Sequence, residues 1–254
     1  VIYFNNTFCG IGITSIPTDL FRYNVEVLNF AGVFQQTAIT TVDADIFKYN
    51  IKVTNMQGLF NQCHSLTTLP AHLFDYNPLV TNFVWLCVAC DALTAIPIDL
   101  FKYNTEVLLF NNVFNNCSSL TAIPADLFRY TTKVTTFYEA FRGCTNLTTI
   151  SNELFKYNTE VTTFFQTFRN CPKAKLNINI FYGAGEEATR FLNKSVNFAF
   201  CFQRTTFSGV QGVAPDLWNC SFGTGTPTKT SCYAGAGNSL TSLSNYNDIP
   251  VDWK

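Results

Sequence analysis

Cysteine is the residue type in this chain that most readily does chemistry, and its spacing is regular. Cys63, Cys90, Cys117, Cys144 and Cys171 follow one another at intervals of 27 residues. Thiols so arranged could form disulfides, a row of metal ligands, or a file of small apolar groups filling a core. Evenly stacked cysteines cannot all pair along one file, so free buried thiols are expected. Cys87-x-x-Cys90 has the spacing of a redox or zinc motif. Yet Cys90 belongs to the file, Cys87 stands where other repeats carry Phe, and no second pair is spaced for zinc. Neither a metal nor a cofactor is expected. Cys201, Cys220 and Cys232 lie outside the file. In an oxidising compartment a disulfide is open to them, with Cys220–Cys232 across the Gly/Thr-rich stretch 223–237 the favoured pair.

The charged residues are also periodic. Acids stand at Asp19, Asp45, Asp99, Asp126 and Glu153, and bases three residues later at Arg22, Lys48, Lys102, Arg129 and Lys156. On one helical turn such residues are neighbours, so each repeat neutralises itself. A further file alternates in sign: Glu26, Lys52, Glu106, Lys133, Glu160. This reads as a solvated face, not as paired catalytic carboxylates. His64 and His72 have no nearby Ser/Asp or metal-ligand set in this reading. No catalytic residue is assigned, and no enzyme is expected.

One repeat departs from the others. His72 and Asp75 occupy the acid and base positions, and Pro78, Leu79, Trp85, Leu86 and Cys87 are all off the common pattern. Trp85 stands where most other repeats carry a polar or small residue. An exposed aromatic on a rigid scaffold is a recognition anchor; the alternative is drift, with Trp85 packed on its neighbour. Thr67, Thr94, Thr121 and Thr148 form a file that could bind a ligand, or simply suit an exposed strand. The tyrosine file (Tyr23, Tyr49, Tyr76, Tyr103, Tyr130, Tyr157) is expected to stack ring on ring, with the following Asn residues shaping the turn.

All of these files come from one unit, clearest from Val107 to Lys133. Phe21, Phe47, Phe74, Phe101, Phe128, Phe155 and Phe181 recur at steps of 26 or 27, and Phe30, Phe34 and the Val before them keep the same register. A unit of this size cannot bury its apolar face alone, so units must stack as a solenoid. The expected fold is a leucine-rich-repeat-like solenoid with short parallel strands and short helical turns. Within the unit, Leu120 to Ile123 reads as a strand ended by Pro124, Ala125 to Tyr130 as a helical turn, Val134 to Phe137 as a second extended piece, and Tyr138 to Cys144 as a second helical turn. Residues 1–181 form about six to seven coils, opening mid-repeat; residues 182–254 are degenerate coils and a C-terminal cap. A short helix is expected over 186–192, and Ser239 to Leu243 echoes the strand. At the other end Val1, Phe4 and Phe8 match the core positions of a coil, so they are expected to meet a partner chain or an upstream segment.

Composition narrows the classes. Charged residues are only 13 %, against roughly 25 % in ordinary globular chains. A formal net charge of −1 gives no basic footprint for nucleic acid or anionic lipid. The longest apolar run, Phe83 to Cys90, falls well short of the ~20 residues of a membrane helix.

The run Val53-Thr-Asn-Met-Gln-Gly-Leu-Phe-Asn-Gln-Cys-His-Ser-Leu-Thr-Thr-Leu69 resembles the BspA-like leucine-rich repeats of bacterial surface proteins, with the match covering about two thirds of the chain. Such repeats are also similar to parts of phage tail and receptor-binding proteins, as is the ending from Asn245 to Lys254. The resemblance implies an extracellular, non-catalytic solenoid. Its expected work is adhesion or recognition of a cell-surface protein or glycan, or self-assembly in a filament or tail.

Overall fold

The computed structural model describes residues 2–183, 185–186, 189–204, 212–235 and 243–254. Val1, part of the 186–192 segment and most of the Ser239 to Leu243 stretch lie outside the described residues. The chain is a parallel-stacked solenoid. One ladder runs through Tyr3, Asn29, Asn55, Asn82, Leu109, Thr136, Thr163, Asn197 and Thr228, each bridged in parallel to the next. A second, sparser ladder runs through Thr68 and Ala95, and from β1 (Ala122–Ile123) to β2 (Thr149–Ile150) and on to Lys175. These strands are short for a physical reason. Leu120 and Ile123 are both buried, and residues three apart cannot both face inward on a strand of period two. Pro124 follows, with no N–H to extend the ladder.

The expected helical turns are absent; both are strings of β-turns. Val113 N donates to Phe110 O at 3.3 Å, Asn115 N to Asn112 O at 3.2 Å and Cys117 N to Phe114 O at 3.3 Å. The alternate N–H groups leave the coil. Asn112 N reaches Tyr138 O at 2.8 Å, Phe114 N reaches Ala140 O at 2.9 Å and Asn116 N reaches Arg142 O at 2.7 Å. A helix would consume every N–H internally and leave none to join coil to coil. The third residue of the first and last of these turns is left-handed, as a type II turn requires: Gly32, Gly58, Asn112, Asn116, Gly143 and Asn170 all have positive φ. The segment from Pro124 to Thr131 is likewise a chain of turns, with Leu127 N on Pro124 O and Arg129 N on Asp126 O.

The core consists of files that run along the axis. Phe101, Phe128 and Phe155 stack with centroids 6.0–6.3 Å apart and ring planes 10–11° from parallel, the geometry of offset stacks. Rings of the neighbouring file (Phe110, Phe137) insert between them at 4.6–4.9 Å. The thiol file is buried and its members are free, and each thiol also donates a hydrogen bond. Cys90 Sγ reaches Phe60 O at 3.1 Å, Cys117 Sγ reaches Cys87 O at 2.9 Å and Cys144 Sγ reaches Phe114 O at 3.2 Å. Burial pushes the Cys63 thiol up to about 11 and that of Cys171 up to about 12. Cys232 is also buried with a free thiol, so the expected Cys220–Cys232 disulfide is not formed. The ionisation of Cys232 is likewise suppressed, first by burial and then by Cys201.

The asparagines after the tyrosines were expected to shape their own turns. They instead tie one coil to the next from inside the protein. Asn104 Nδ2 donates to Phe74 O at 3.1 Å and to Asn77 O at 2.8 Å. Asn50, Asn77 and Asn158 repeat the arrangement, and all four are fully buried. Arg190 ends the file: its Nη2 takes both Phe155 O and Asn158 O at 2.9 Å.

Beyond Thr163 the first ladder continues through Asn197 and Thr228. Phe198 stacks on Phe164 at 5.7 Å and Phe202 on Phe168 at 5.7 Å. Trp253, in the final 3-10 turn (Val251–Trp253), is buried against Phe198 and Tyr233.

Candidate recognition face

Each coil has two turn-bearing sides. One carries the acids, bases and tyrosines. There the expected pairs form within each coil, as in Lys48–Asp45 and Lys156–Glu153, both at 3.3 Å. The alternating file joins coils, Lys52 to Glu26 and Lys133 to Glu106 at 2.7 Å. The tyrosines do not stack on each other as expected. Cations lie between them: Arg22 is 5.7 and 5.8 Å from the rings of Tyr23 and Tyr49, and Arg129 is 5.8 and 5.3 Å from those of Tyr130 and Tyr157. A cation over a ring face gains electrostatic attraction that ring-on-ring contact lacks.

The histidines are not as isolated as their sequence neighbourhoods imply. His72 Nδ1 lies 2.8 Å from Asp75 Oδ2, and His64 Nδ1 lies 2.6 Å from Asp91 Oδ2 in the next coil. No cluster of metal-ligating side chains forms among the described residues. The Thr67 hydroxyl donates to Thr40 O and the Thr148 hydroxyl to Thr121 O, both at 3.1 Å. Phe4 and Phe8 are half-buried; their N–H groups bond Asn29 O and Val33 O, and their rings meet Phe30 and Phe34.

Trp85 lies on the other side, where the tandem turns run from the first ladder to the cysteine file. It is 46 % exposed. Its φ is +59°, at the turn position that Gly32 and Gly58 occupy in the two preceding coils. A bulky side chain in that conformation is uncommon and strained. Next to it opens a groove of about 340 Å³ lined by Asn61, Gln62, Trp85, Val88, Asn112, Asn115, Asn116, Glu139 and Arg142. Asn115, 3 % exposed, donates its amide N–H₂ to Asn112 Oδ1 at 2.7 Å and to Glu139 Oε2 at 3.0 Å. Arg142 Nη1 approaches the same carboxylate oxygen at 3.3 Å. Glu139, like Trp85, is left-handed, with φ +53°. Asn61 Oδ1, Asn115 Oδ1 and Arg142 Nε are buried with no hydrogen-bond partner in the protein.

Aromatics continue beside the groove. Tyr138 stacks on Phe165 at 5.0 Å, and Phe165 meets Phe200 edge-on at 5.7 Å. Burial raises the Tyr138 phenol's pKa, with the Glu139 carboxylate adding to it. The groove does not include His72, Asp75 or the threonine file. Sequence reasoning singled out Trp85 but not Asn115, Glu139 and Arg142, which line the groove with it. The available signal was Glu139 itself, a charged residue standing at a Gly/Asn turn position.

No protein-family profile matches this sequence, and no curated protein matches it. Among solved structures, it is similar to the APL1 leucine-rich repeat domain, with 15 % identity and a TM-score of 0.45 over 86 % of this chain and 45 % of that one. It is also similar to a chain of the Toll–Spatzle complex from Drosophila, with 16 % identity and a TM-score of 0.41 over 80 % of this chain and 26 % of that one. A leucine-rich repeat protein from Bacteroides ovatus is similar at 12 % identity, with a TM-score of 0.25 over 87 % of this chain and 68 % of that one. The chain thus spans less than half the length of the first two.

Proposed function

We propose that this chain is a non-catalytic recognition module, working outside the cell as part of a surface adhesin or a virion tail, that binds a surface partner through its tandem-turn face. The observation that carries this reading is Trp85, held exposed in a strained conformation beside a groove lined by polar side chains. A strained backbone that holds a half-exposed aromatic at the surface is the pattern of a binding anchor. The resemblance of residues 53–69 to BspA-like surface repeats supports the extracellular setting. The test is binding of the fluorescently labelled chain to panels of intact bacterial and animal cells, with Trp85→Gly beside it. Binding that falls in the variant supports the reading; equal binding by both sinks it.

The second reading is a structural subunit that stacks through its first coil. In its favour, Phe4 and Phe8 are half-buried and Ile2 and Tyr3 exposed, so a further coil or partner laid there would cover them. Sizing of Phe4→Asp beside the parent across a concentration series decides it. Concentration-dependent assembly lost in the variant supports stacking, and a monomer throughout rejects it.

A further inference from the structure

The geometry points to a carbohydrate chain, laid along the solenoid axis from Trp85 towards Tyr138, as the ligand of this groove; the inference rests on the recognition reading above. Three observations carry it. The first is the floor. The side-chain amides of Gln62, Asn112 and Asn116 and the Glu139–Arg142 pair line one small groove, a mixture of donors and acceptors. A hydroxyl donates and accepts at once, so a ligand dense in hydroxyls meets this mixture without a fixed pattern. An apolar peptide anchor would take these lining groups from water and give them no partner, at roughly 1–3 kcal/mol for each.

The second observation is the wall. The exposed indole of Trp85 offers a flat apolar face beside the polar floor. A sugar ring has a C–H face for such a surface and hydroxyls around its edge for the amides. The third is charge and direction. Glu139 neutralises Arg142 within the site, at 3.3 Å, so no cationic surplus remains to hold phosphates, and nucleic acid is disfavoured. Trp85 and Tyr138 lie two coils apart in turns that share one ladder, and Phe165 lies one coil further. At roughly 4.8 Å per coil, this spacing suits an extended chain of linked rings running along the axis.

The experiment uses an array of immobilised oligosaccharides, neutral and acidic, probed with the whole labelled chain, Trp85→Gly, Trp85→Phe and Glu139→Gln. The expected result is retention on a hydroxyl-rich oligosaccharide that falls roughly tenfold or more in Trp85→Gly, falls in Glu139→Gln, and partly survives in Trp85→Phe. Melting curves establish that each variant is folded. The same cells that bind the parent are then treated with periodate, which cleaves vicinal diols, or with protease. Loss to periodate supports a glycan. Binding that resists periodate and is lost to protease identifies a protein partner; it overturns this inference and leaves the recognition reading standing. Array retention equal in parent and Trp85→Gly overturns the assignment of the groove. If the two also bind cells equally, the recognition reading falls with it.

Discussion

The two turn-bearing sides of the solenoid are built to opposite rules. On the acid–base–tyrosine side the same chemistry recurs in coil after coil: Asp45 with Lys48, Asp99 with Lys102, Asp126 with Arg129. On the tandem-turn side the backbone recurs while the side chain at the left-handed position changes: Gly32, Gly58, Trp85, Asn112, Glu139, Gln166. A position that repeats is explained by stacking, because each coil meets an identical neighbour. A position that varies on an invariant backbone cannot be explained that way. In a repeat protein, then, departure from the repeat on a rigid face points to the site more directly than any shared residue.

This contrast can be tested first where repetition is most complete. Phe128→Ala removes a ring in contact with the stacked files on both sides, and is expected to cost about 3–5 kcal/mol in a urea melt. A loss below about 1 kcal/mol would mean that the Phe file is not core. Asn104→Ala comes next. It removes one hydrogen bond from each of Phe74 O and Asn77 O, which keep those from Asn77 N and Val80 N, at roughly 0.5–1.5 kcal/mol each, read from the same melts.

The thiol file makes the contrast pH-dependent. An unfolded thiol ionises near pH 8.5, while Cys63 and Cys171 are held to about 11 and 12 by burial. Between those values the unfolded chain binds fewer protons than the folded one, so stability falls as pH rises. The contribution is whole below about pH 8.5 and is lost progressively from there through the folded values. Melting temperature should therefore be insensitive to these thiols at neutral pH and drop above pH 9. Cys171→Ser should flatten that drop. A parent curve that stays level to pH 11 would show that the file is accessible to solvent.

The smallest effects should come from the varying side and the charged surface. Trp85→Gly places glycine where Gly32 and Gly58 already stand, so its stability in a urea melt should be unchanged or slightly higher, by up to about 1 kcal/mol. A clear loss would make Trp85 a packing residue. Lys52→Ala breaks an exposed pair with Glu26 and should cost less than about 1 kcal/mol, less still at high salt.

How much of this was readable from the sequence depends on whether an interaction has a residue type at both ends. The Phe and Cys files do, and their period exposed them. The Asp–Lys pairs do as well. The asparagine file joins a side chain to backbone carbonyls 27 and 30 residues away, and a carbonyl carries no residue identity, so Asn104 read as a local turn residue. The tandem turns were legible in principle from Gly32, Gly58, Asn112, Asn116 and Gly143, but Trp85, Ala89, Glu139 and Gln166 occupy the same left-handed positions and blur that signal. Trp85 was recognised as an exception. Glu139 and Arg142 were not, because they lie two coils away in sequence and reach the groove only when the coils stack.

The buried asparagine file has a consequence for how such a chain changes length. Each of Asn50, Asn77, Asn104 and Asn158 takes the carbonyl of the coil before, and Asn50 and Asn77 also present their own carbonyl to the Asn of the coil after. The junctions from Asn24 to Asn104 are thus interchangeable, while Thr131 in the next coil turns its hydroxyl to Phe128 O of its own coil. Excising residues 107–133 would bring Asn158 onto Phe101 O and Asn104 O, the kind of junction it already makes, and would set the Cys144 thiol against Cys87 O, the acceptor Cys117 now uses. The shortened protein should fold, with Trp85 and Glu139 one coil closer together. Unequal recombination can therefore lengthen or shorten the tandem-turn face by whole coils without damage to the interior. Arg190, which closes the file on its last two carbonyls, marks where that freedom stops.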